Sequence, residues 1–288
     1  MIYDIRKYKQ DDVSAMKSLW CDAFGDLPEL VDSFFELLPS MGTGFVAELD
    51  GEVFGAAYVL DAFLHLPDSS TKKLAYIYAV AVDGSVRGHG VGAELTRACM
   101  RNAWEYSADI CCTLPAEGSL YDWYESRCGL AAASFCCYET VAAGAEAVGI
   151  KRLSADEYGF LREDMLKGTA HVGFYYGYLR FQEEIFTSSF GGFFEYKGAI
   201  ACGYIENGTL YVKEFLGDEP EFIPALCTAL GVRIIRASLR RSCERVKGTH
   251  LKRAINSSLT EKRRRLASFF SPMLNSTPYR ADNLLSDT

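Results

Sequence analysis

No stretch of about 18 apolar residues free of charge occurs in the 288-residue chain, so the sequence offers no candidate transmembrane helix. Its first residues, MIYDIRKYKQDD, mix charges with aromatics and contain no apolar core, which excludes a secretory signal. C-x-x-C spacing is missing although there are 10 cysteines, which removes zinc-ribbon and thioredoxin-like motifs. The cysteines lie in apolar segments or side by side (Cys111-Cys112, Cys136-Cys137) and read as small buried thiols in a reducing compartment. An excess of positive charge is lacking too. The formal net charge of −8 argues against a general nucleic-acid binder and favours cationic substrates. The basic run Lys262-Arg263-Arg264-Arg265 reads as a solvated helix face. A cytoplasmic protein without a metal and without a membrane or nucleic-acid partner is expected.

What is present is a glycine-rich turn between a strand and a helix. Leu74 to Val82 (LAYIYAVAV) is apolar, aromatic and β-branched, the composition of a buried strand. Asp83-Gly84 signals a turn. After Arg87-Gly88-His89-Gly90-Val91-Gly92, the residues Val91, Leu95, Ala98 and Cys99 recur at helical spacing. A strand, a glycine turn and a helix start together make an anion site, because glycines admit close approach, unpaired N–H groups point outward and the helix dipole favours negative charge. Arg87 adds a fork of donors suited to phosphate. A pyrophosphate is the expected ligand.

Three nucleotide-binding patterns compete for this turn. No Lys-Ser or Lys-Thr follows the last glycine, so it is not a P-loop. Gly88, Gly90 and Ala93 satisfy the Rossmann G-x-G-x-x-A spacing, but that motif expects an acidic residue ending the next strand. Here Ile110-Cys111-Cys112-Thr113-Leu114 ends in Pro115, and Asp109 stands at the wrong end. The third pattern fits better. Arg87 to Gly92 matches R-x-x-G-x-G and follows Val80-Ala81-Val82. Trp123-Tyr124 then stands shortly before Gly129-Leu130. On these residues the chain resembles the GCN5-related N-acetyltransferases. The element order agrees: a strand at 3–7, helices near 11–23 and 27–38, and a hairpin 44–49/52–60 turning at Asp50-Gly51. The resemblance covers about residues 1–140 and is nearest to uncharacterised two-lobed bacterial members.

It implies an α/β (α+β) fold with a mixed, largely antiparallel central sheet, and acetyl-CoA as co-substrate without a metal. The pyrophosphate would lie on backbone N–H groups of Arg87, Gly88, His89, Gly90, Val91 and Gly92, with the His89 side chain exposed. The pantetheine arm would pair like an added strand with Val80, Ala81 and Val82, whose N–H groups would stabilise the oxyanion. A small-molecule or peptide amine would attack directly. Tyr124 matches the tyrosine that serves the leaving thiolate, and its reference pKa near 10 lies close to a thiol's. A core aromatic is the plainer reading of Tyr124, and tight packing that of the glycines. Two departures stand out. Glu125 to Cys128 make the interval from Tyr124 to Gly129 one residue longer than usual, which points to a shifted helix end. Glu117 occupies a position where many relatives place asparagine. No general base is evident, since Tyr76 and Tyr78 stand where many relatives place a glutamate. Asp26, Glu48 and Glu214 are candidates for amine recognition, each read alternatively as a solvated surface charge. Cys128 has no His-Asp pair to make it a nucleophile. A non-catalytic acyl-CoA sensor and a transferase of longer acyl groups are the alternatives. The oligomeric state is not legible.

A boundary is expected near Val141 to Ala145, dividing an acetyl-CoA-binding domain (1–145) from a second lobe (150–288). Ser154-Ala155-Asp156-Glu157 is a capping box, followed by an apolar stripe at Tyr158, Leu161 and Met165. Phe174, Tyr178, Phe181 and Ile185 form a second stripe. Strands are predicted at 192–196, 199–205 and 210–217, with turns at Lys197-Gly198 and Asn207-Gly208. This order repeats that of residues 11–82, and Gly192-Phe193-Phe194-Glu195-Tyr196 echoes Gly44-Phe45-Val46-Ala47-Glu48. No glycine-rich anion loop follows Val212 to Leu216, so the second lobe reads as a degenerate copy that shapes the acceptor site and binds no nucleotide.

Overall fold

A computed structural model of the chain describes residues 2–131, 139–142, 144, 148–232 and 234–237. The Cys136-Cys137 pair, most of the expected boundary segment and the basic run at 262–265 lie outside the described residues. From the N-terminus, β1 (Asp4–Lys7) leads into α1 (Val13–Phe24) and α2 (Pro28–Met41), then β2 (Gly42–Leu49), β3 (Glu52–His65) and β4 (Thr71–Val82). Next come α3 (Val91–Glu105), β5 (Ile110–Thr113) and α4 (Ser119–Trp123). Local chemistry explains the ends. Gly25 stops α1 at φ +70°, Pro28 opens α2 at a position needing no N–H, and Asp50-Gly51 turns the β2–β3 hairpin with positive φ at both residues.

These strands form a sheet in the order β1-β2-β3-β4-β5, antiparallel except for the parallel β4–β5 pair. A mixed, largely antiparallel sheet is thus what the fold-class expectation describes. After β6 (Glu139–Ala142), β7 (Lys151–Leu153), α5 (Ala155–Met165), β8 (His171–Phe174), α6 (Tyr176–Ser188), β9 (Gly192–Tyr196), β10 (Ala199–Glu206), β11 (Thr209–Leu216), α7 (Phe222–Leu230) and β12 (Ile234–Ala237) complete the described chain. The second sheet runs β6-β12-β11-β10-β9-β7, and its only parallel pair among the described strands is β11–β12. Strand for strand, β7, β9, β10, β11 and β12 repeat β1 to β5. The echo of Gly44 to Glu48 in Gly192 to Tyr196 falls on equivalent strands, β2 and β9. No described helix is long and apolar enough to cross a membrane, and no described cysteine forms a disulfide.

The two sheets exchange strands. β6, from the first half, pairs with β12; β8, from the second half, pairs with β3. On that edge of β3, β2 ends at Gly42↔Leu60 and β8 takes over at Phe174↔Ala62. Packing binds the halves further. One core draws on α1, α2, α5, α6 and both sheets, with the Phe34 and Phe181 rings 5.1 Å apart. Separate cores lie under α3 and α7, on the outer face of each sheet.

Two details of the second half differ from the sequence expectation. Phe174 belongs to β8 and not to the helical stripe, which consists of Tyr178, Phe181 and Ile185 on α6. Met165 is exposed and Leu161 only half-buried; the buried face of α5 is instead Ala155, Tyr158 and Arg162. An arginine can face the core there because its charge is matched. Arg162 Nε donates to Glu214 Oε2 at 2.6 Å and Nη2 to Oε1 at 3.2 Å, while the Tyr158 hydroxyl donates to Oε2 at 2.9 Å. Arg162 Nη1 also donates to the Val172 carbonyl of β8 at 2.8 Å. One side chain thereby ties β11 of the second sheet to the strand docked on the first.

Removing one member of a buried ion pair leaves an uncompensated charge. Arg162→Met should therefore cost about 3–5 kcal/mol of unfolding free energy, read by urea denaturation. Combining it with Glu214→Leu should recover most of that loss, because no charge is then stranded.

Candidate active site

The strand that carries the glycine turn is divided in two by its pairing. β4 lies beside β5 from Leu74↔Ile110 to Ile77↔Thr113 and then continues alone to Val82 on that side. Immediately past this point β4 bulges. Ala79 and Val80 stand where the β3 register allots one partner, between Tyr58↔Tyr78 and Ala56↔Ala81. Ala79 holds φ at +46°, which is strained for a residue with a Cβ. Bulges redirect strand backbone away from the ladder. Here the redirected residues line a cleft of about 550 Å³ between the diverging strands.

That cleft brings together Val80, Ala81, Val82, Arg87, Gly88, Gly90, Val91, Gly92 and Tyr124. His89 does not line it, and its side chain is exposed, as the sequence reading has it. The turn is built by specific bonds. Asp83 Oδ1 accepts from the Ser85 hydroxyl and from Ser85 N at 2.8 Å, which together hold its carboxyl below the usual range, and Arg87 Nε donates to the Val82 carbonyl at 3.2 Å. Gly88 and Gly90 have φ of +80° and +82°, yet a Cβ on either would meet open space. Tight packing is therefore not their reason; backbone conformation is. Gly92 lies within α3, and a Cβ there would meet Trp123 and Val82 only at ordinary van der Waals distance. Gly90 precedes α3, so the first N–H groups of that helix lack helical acceptors.

The opposite wall comes from α4 and the turn after it. Residues 124–128 form a single π turn, the usual way for a helix to accommodate one extra residue. The carbonyl of Tyr124 accepts from Leu130 N at 3.1 Å, and Gly129 N donates to Glu125 O at 2.9 Å. The additional residue between Tyr124 and Gly129 therefore widens one turn, with Tyr124 still in the cleft. Arg97 Nη1 fastens this turn to α3 by donating to the Arg127 carbonyl at 2.8 Å. Both arginines line the cleft, and sequence reasoning missed them. Arg97 lies two helical turns beyond Gly90, on the same face of α3, which was the available signal.

Tyr124 is 9% exposed, and burial lifts its phenol well above the ordinary value near 10. A hydrogen bond with Thr113 offsets part of that rise. The expectation of near-equality with a thiol is corrected accordingly: this phenol stays protonated and is the weaker acid. Thr113 in turn donates to the Ile77 carbonyl at 3.0 Å, at the last paired residue of β4. Cys128 is buried and lies off the cleft, and the Glu117 carboxylate is engaged by the Ser119 hydroxyl.

The inner end of the cleft is aromatic, with Trp20 and Phe24 of α1 facing Tyr76 and Tyr78 of β4. The buried Tyr78 hydroxyl has no hydrogen-bond partner among the described residues. Of the three carboxylates considered for amine recognition, none is a free surface charge. Glu48 is bound to Arg6, and Glu214 is buried against Arg162 and Tyr158. Asp26 is buried behind the aromatic end, where it accepts from Trp20 Nε1 at 2.7 Å; burial raises its pKa.

Comparison with known proteins adds to this geometry. Residues 4–126 match the family model described as an acetyltransferase (GNAT) domain. The whole fold is similar to a GCN5-related N-acetyltransferase from Kribbella flavida, at TM-score 0.58 and 16% identity, over 87% of this chain and 67% of that one. It is similar to Eis1 from Mycobacterium abscessus at TM-score 0.60 and 16% identity, over 84% and 67%. A conserved protein of unknown function from Enterococcus faecalis, a probable N-acyltransferase, gives 0.58 and 15% identity over 82% and 65%. The chain thus spans about two thirds of the length of these structures, and at such identities the likeness is one of fold. No curated protein matches it in sequence.

Thr113 links the last paired residue of β4 to Tyr124 through one hydroxyl. Thr113→Val keeps the shape and removes both hydrogen bonds at a buried position. Unfolding free energy should fall by about 1–3 kcal/mol, measured by chemical denaturation.

Proposed function

We propose, from the match of residues 4–126 to the GNAT acetyltransferase domain model, that the chain transfers the acetyl group of acetyl-CoA directly to a small-molecule or peptide amine. The observation that carries this reading is the departure of β4 from β5 at Ile77, followed at once by the bulge at Ala79-Val80. It leaves the side of Val80 to Val82 turned away from β3 without a strand partner beside a cleft. An amide chain such as pantetheine can take that partner's place. Glycines 88 and 90 keep the mouth of the cleft open. Arg87, helped by Arg97 and the N-terminal N–H groups of α3, supplies positive potential for a pyrophosphate.

Chemistry occurs where the bulge meets Tyr124. Backbone N–H groups at the bulge stabilise negative charge on the thioester carbonyl oxygen as the amine attacks. The C–N bond forms, the C–S bond breaks, and the departing sulfur carries the electron pair. The protonated Tyr124 phenol turns its O–H from Thr113 to donate a hydrogen bond to that sulfur. The amine's proton leaves through water to bulk, so no side-chain base is assigned. The aromatic end formed by Trp20, Phe24, Tyr76 and Tyr78 receives the acceptor.

The second lobe plays no part in nucleotide binding on this reading. At the position equivalent to the glycine turn, the β11–α7 connection reads Gly217-Asp218-Glu219-Pro220-Glu221. Three carboxylates at a helix start repel phosphate. Calorimetry should accordingly register one acetyl-CoA per chain and no heat with NAD. Gly90→Val should abolish binding, since a branched side chain is strained at φ +82° and would occupy the open space above the turn. A stoichiometry near two, or full affinity in that variant, would refute the assignment.

The transfer itself is tested by screening amines with acetyl-CoA and reading free thiol release. Tyr124→Phe should lower kcat by roughly 10²–10⁴-fold with little change in acetyl-CoA affinity, because the hydrogen bond strengthens as charge develops on sulfur. With its pKa raised, the phenol should add no alkaline limb to the kcat profile below about pH 10. A loss of melting temperature without loss of turnover would instead mark Tyr124 as a structural residue.

A further inference from the structure

Where β8 docks on β3, three side chains of ligand type converge from three elements. His65 ends β3, His171 opens β8 as its cross-strand partner, and Glu163 comes from α5. His171 Nε2 lies 2.9 Å from Glu163 Oε2, and His65 Nε2 lies 3.9 Å from the same oxygen. The ligand atoms of all three fall within 4.8 Å of one another. The imidazoles stack with centroids 4.8 Å apart.

Hydrogen bonds on the far side of each ring decide what those atoms present. His171 Nδ1 is 3.0 Å from the Thr169 carbonyl oxygen. That oxygen only accepts, so Nδ1 carries a proton and Nε2 is the atom aimed at the carboxylate. His65 Nδ1 is held by the Thr71 hydroxyl at 3.1 Å, which leaves Nε2 for the same point. His171 Nε2 and the carboxylate oxygen at 2.9 Å need a positive centre between them, either a proton on Nε2 or a metal ion. A backbone carbonyl fixing the outer N–H is the arrangement that orients metal-binding imidazoles.

Space and charge agree with a metal ion. A Cβ at Gly173 would stand 2.5 Å from His65 Nε2 and 3.8 Å from Glu163 Oε2, so glycine keeps the volume at the ligand atoms open. Arg162 occupies only the other oxygen, Glu163 Oε1, at 2.8 Å, and Glu214 already balances its charge. Bonds of about 2.0–2.2 Å in a tetrahedron set ligand atoms roughly 3.4 Å apart. The observed 2.9 and 3.9 Å fall on either side of that value. The side chains of His65 and Glu163 are 35% and 44% exposed, so an ion can enter from solvent.

We propose that His65, Glu163 and His171 bind one divalent transition-metal ion of the zinc class, with water completing the coordination, and that this ion clips β8 and α5 to β3. Two imidazoles and a carboxylate suit zinc, cobalt and nickel. The site is separate from the acyl-transfer cleft and does not depend on that chemistry. No motif announces it, because the ligands stand at 65, 163 and 171 and become neighbours only through β8.

The test uses the full chain with cobalt(II) and zinc. Cobalt should bind at one ion per chain with a visible d–d band and without the near-ultraviolet thiolate charge-transfer band that cysteine ligation produces. Zinc should displace it and raise the melting temperature. His65→Gln and His171→Gln should each weaken zinc binding by at least about 100-fold. His65 is partly exposed at a strand end, so its variant should keep the metal-free melting temperature and isolate the ligand effect. Failure to take up cobalt, a thiolate band, or unchanged affinity in both variants would overturn the proposal. So would a melting temperature that ignores zinc but rises as pH falls through the histidine range, since a proton shared by His171 and Glu163 would then be the sole occupant.

Discussion

The buried pairing of Arg162 with Glu214 lies within the second half of the chain and fixes β8, the strand through which that half docks on the first sheet. Taking either charge out of water costs several kcal/mol, and the structure offsets that cost with a dense set of bonds. Two guanidinium nitrogens reach the carboxylate, Tyr158 supplies a third donor, and the remaining nitrogen serves the Val172 carbonyl and Glu163. Because Val172 lies on β8, the strand that extends the first sheet, the position of α5 and the edge of β3 are set together. An apolar residue at 162 could fill the space, but it could not specify which strand lies beside it. This is the case in which a buried ion pair fixes arrangement more than it adds stability.

On the other side of the first sheet, the cleft arises from a failure of pairing. β4 and β5 run together for four residues, and then the bulge at Ala79-Val80 turns β4 away. The second sheet keeps the equivalent parallel pair, β11 with β12, and also a register shift, between Cys202 and Gly203. It does not keep the glycine turn, and Asp218, Glu219 and Glu221 stand in that place. One architecture is therefore used twice with different chemistry at the matching helix start: a glycine-rich turn bearing Arg87 in the first copy and an acidic one in the second.

Much of this was readable from residue order. Asp50-Gly51, Lys197-Gly198 and Asn207-Gly208 turn where turn chemistry requires, Ser154 and Glu157 form the capping box, and the glycine run sits between strand and helix as its composition indicates. What escaped depended on partners distant in the chain. The four residues of β8 look like the beginning of a helical stripe because Phe174 falls in phase with Tyr178; their strand identity comes from β3, more than 100 residues earlier. Arg162 breaks an apolar face, so periodicity passes over it in favour of Leu161 and Met165, and only Glu214 explains it. Asp26 looked like a surface charge because sequence cannot show that Trp20 covers it. The π turn was visible as an extra residue, but whether that residue would move the helix end or widen a turn depended on Arg97 and Gly129.

The strand exchange has a consequence for how the molecule comes into being. A nascent chain emerges from the N-terminus onward, and its domains ordinarily close as they appear. Here the far end of β3, residues 62–65, is made long before β8, while β6 awaits β12, which is synthesised almost 100 residues later. Until then each presents an open edge of the kind that invites pairing with other chains. Lys72 and Lys73 of β4, opposite Leu64 and Phe63, place charge next to the first of these edges. Synthesis of the first half therefore cannot conclude its folding, and the waiting interval, more than the finished structure, is where this chain is most exposed to misassembly.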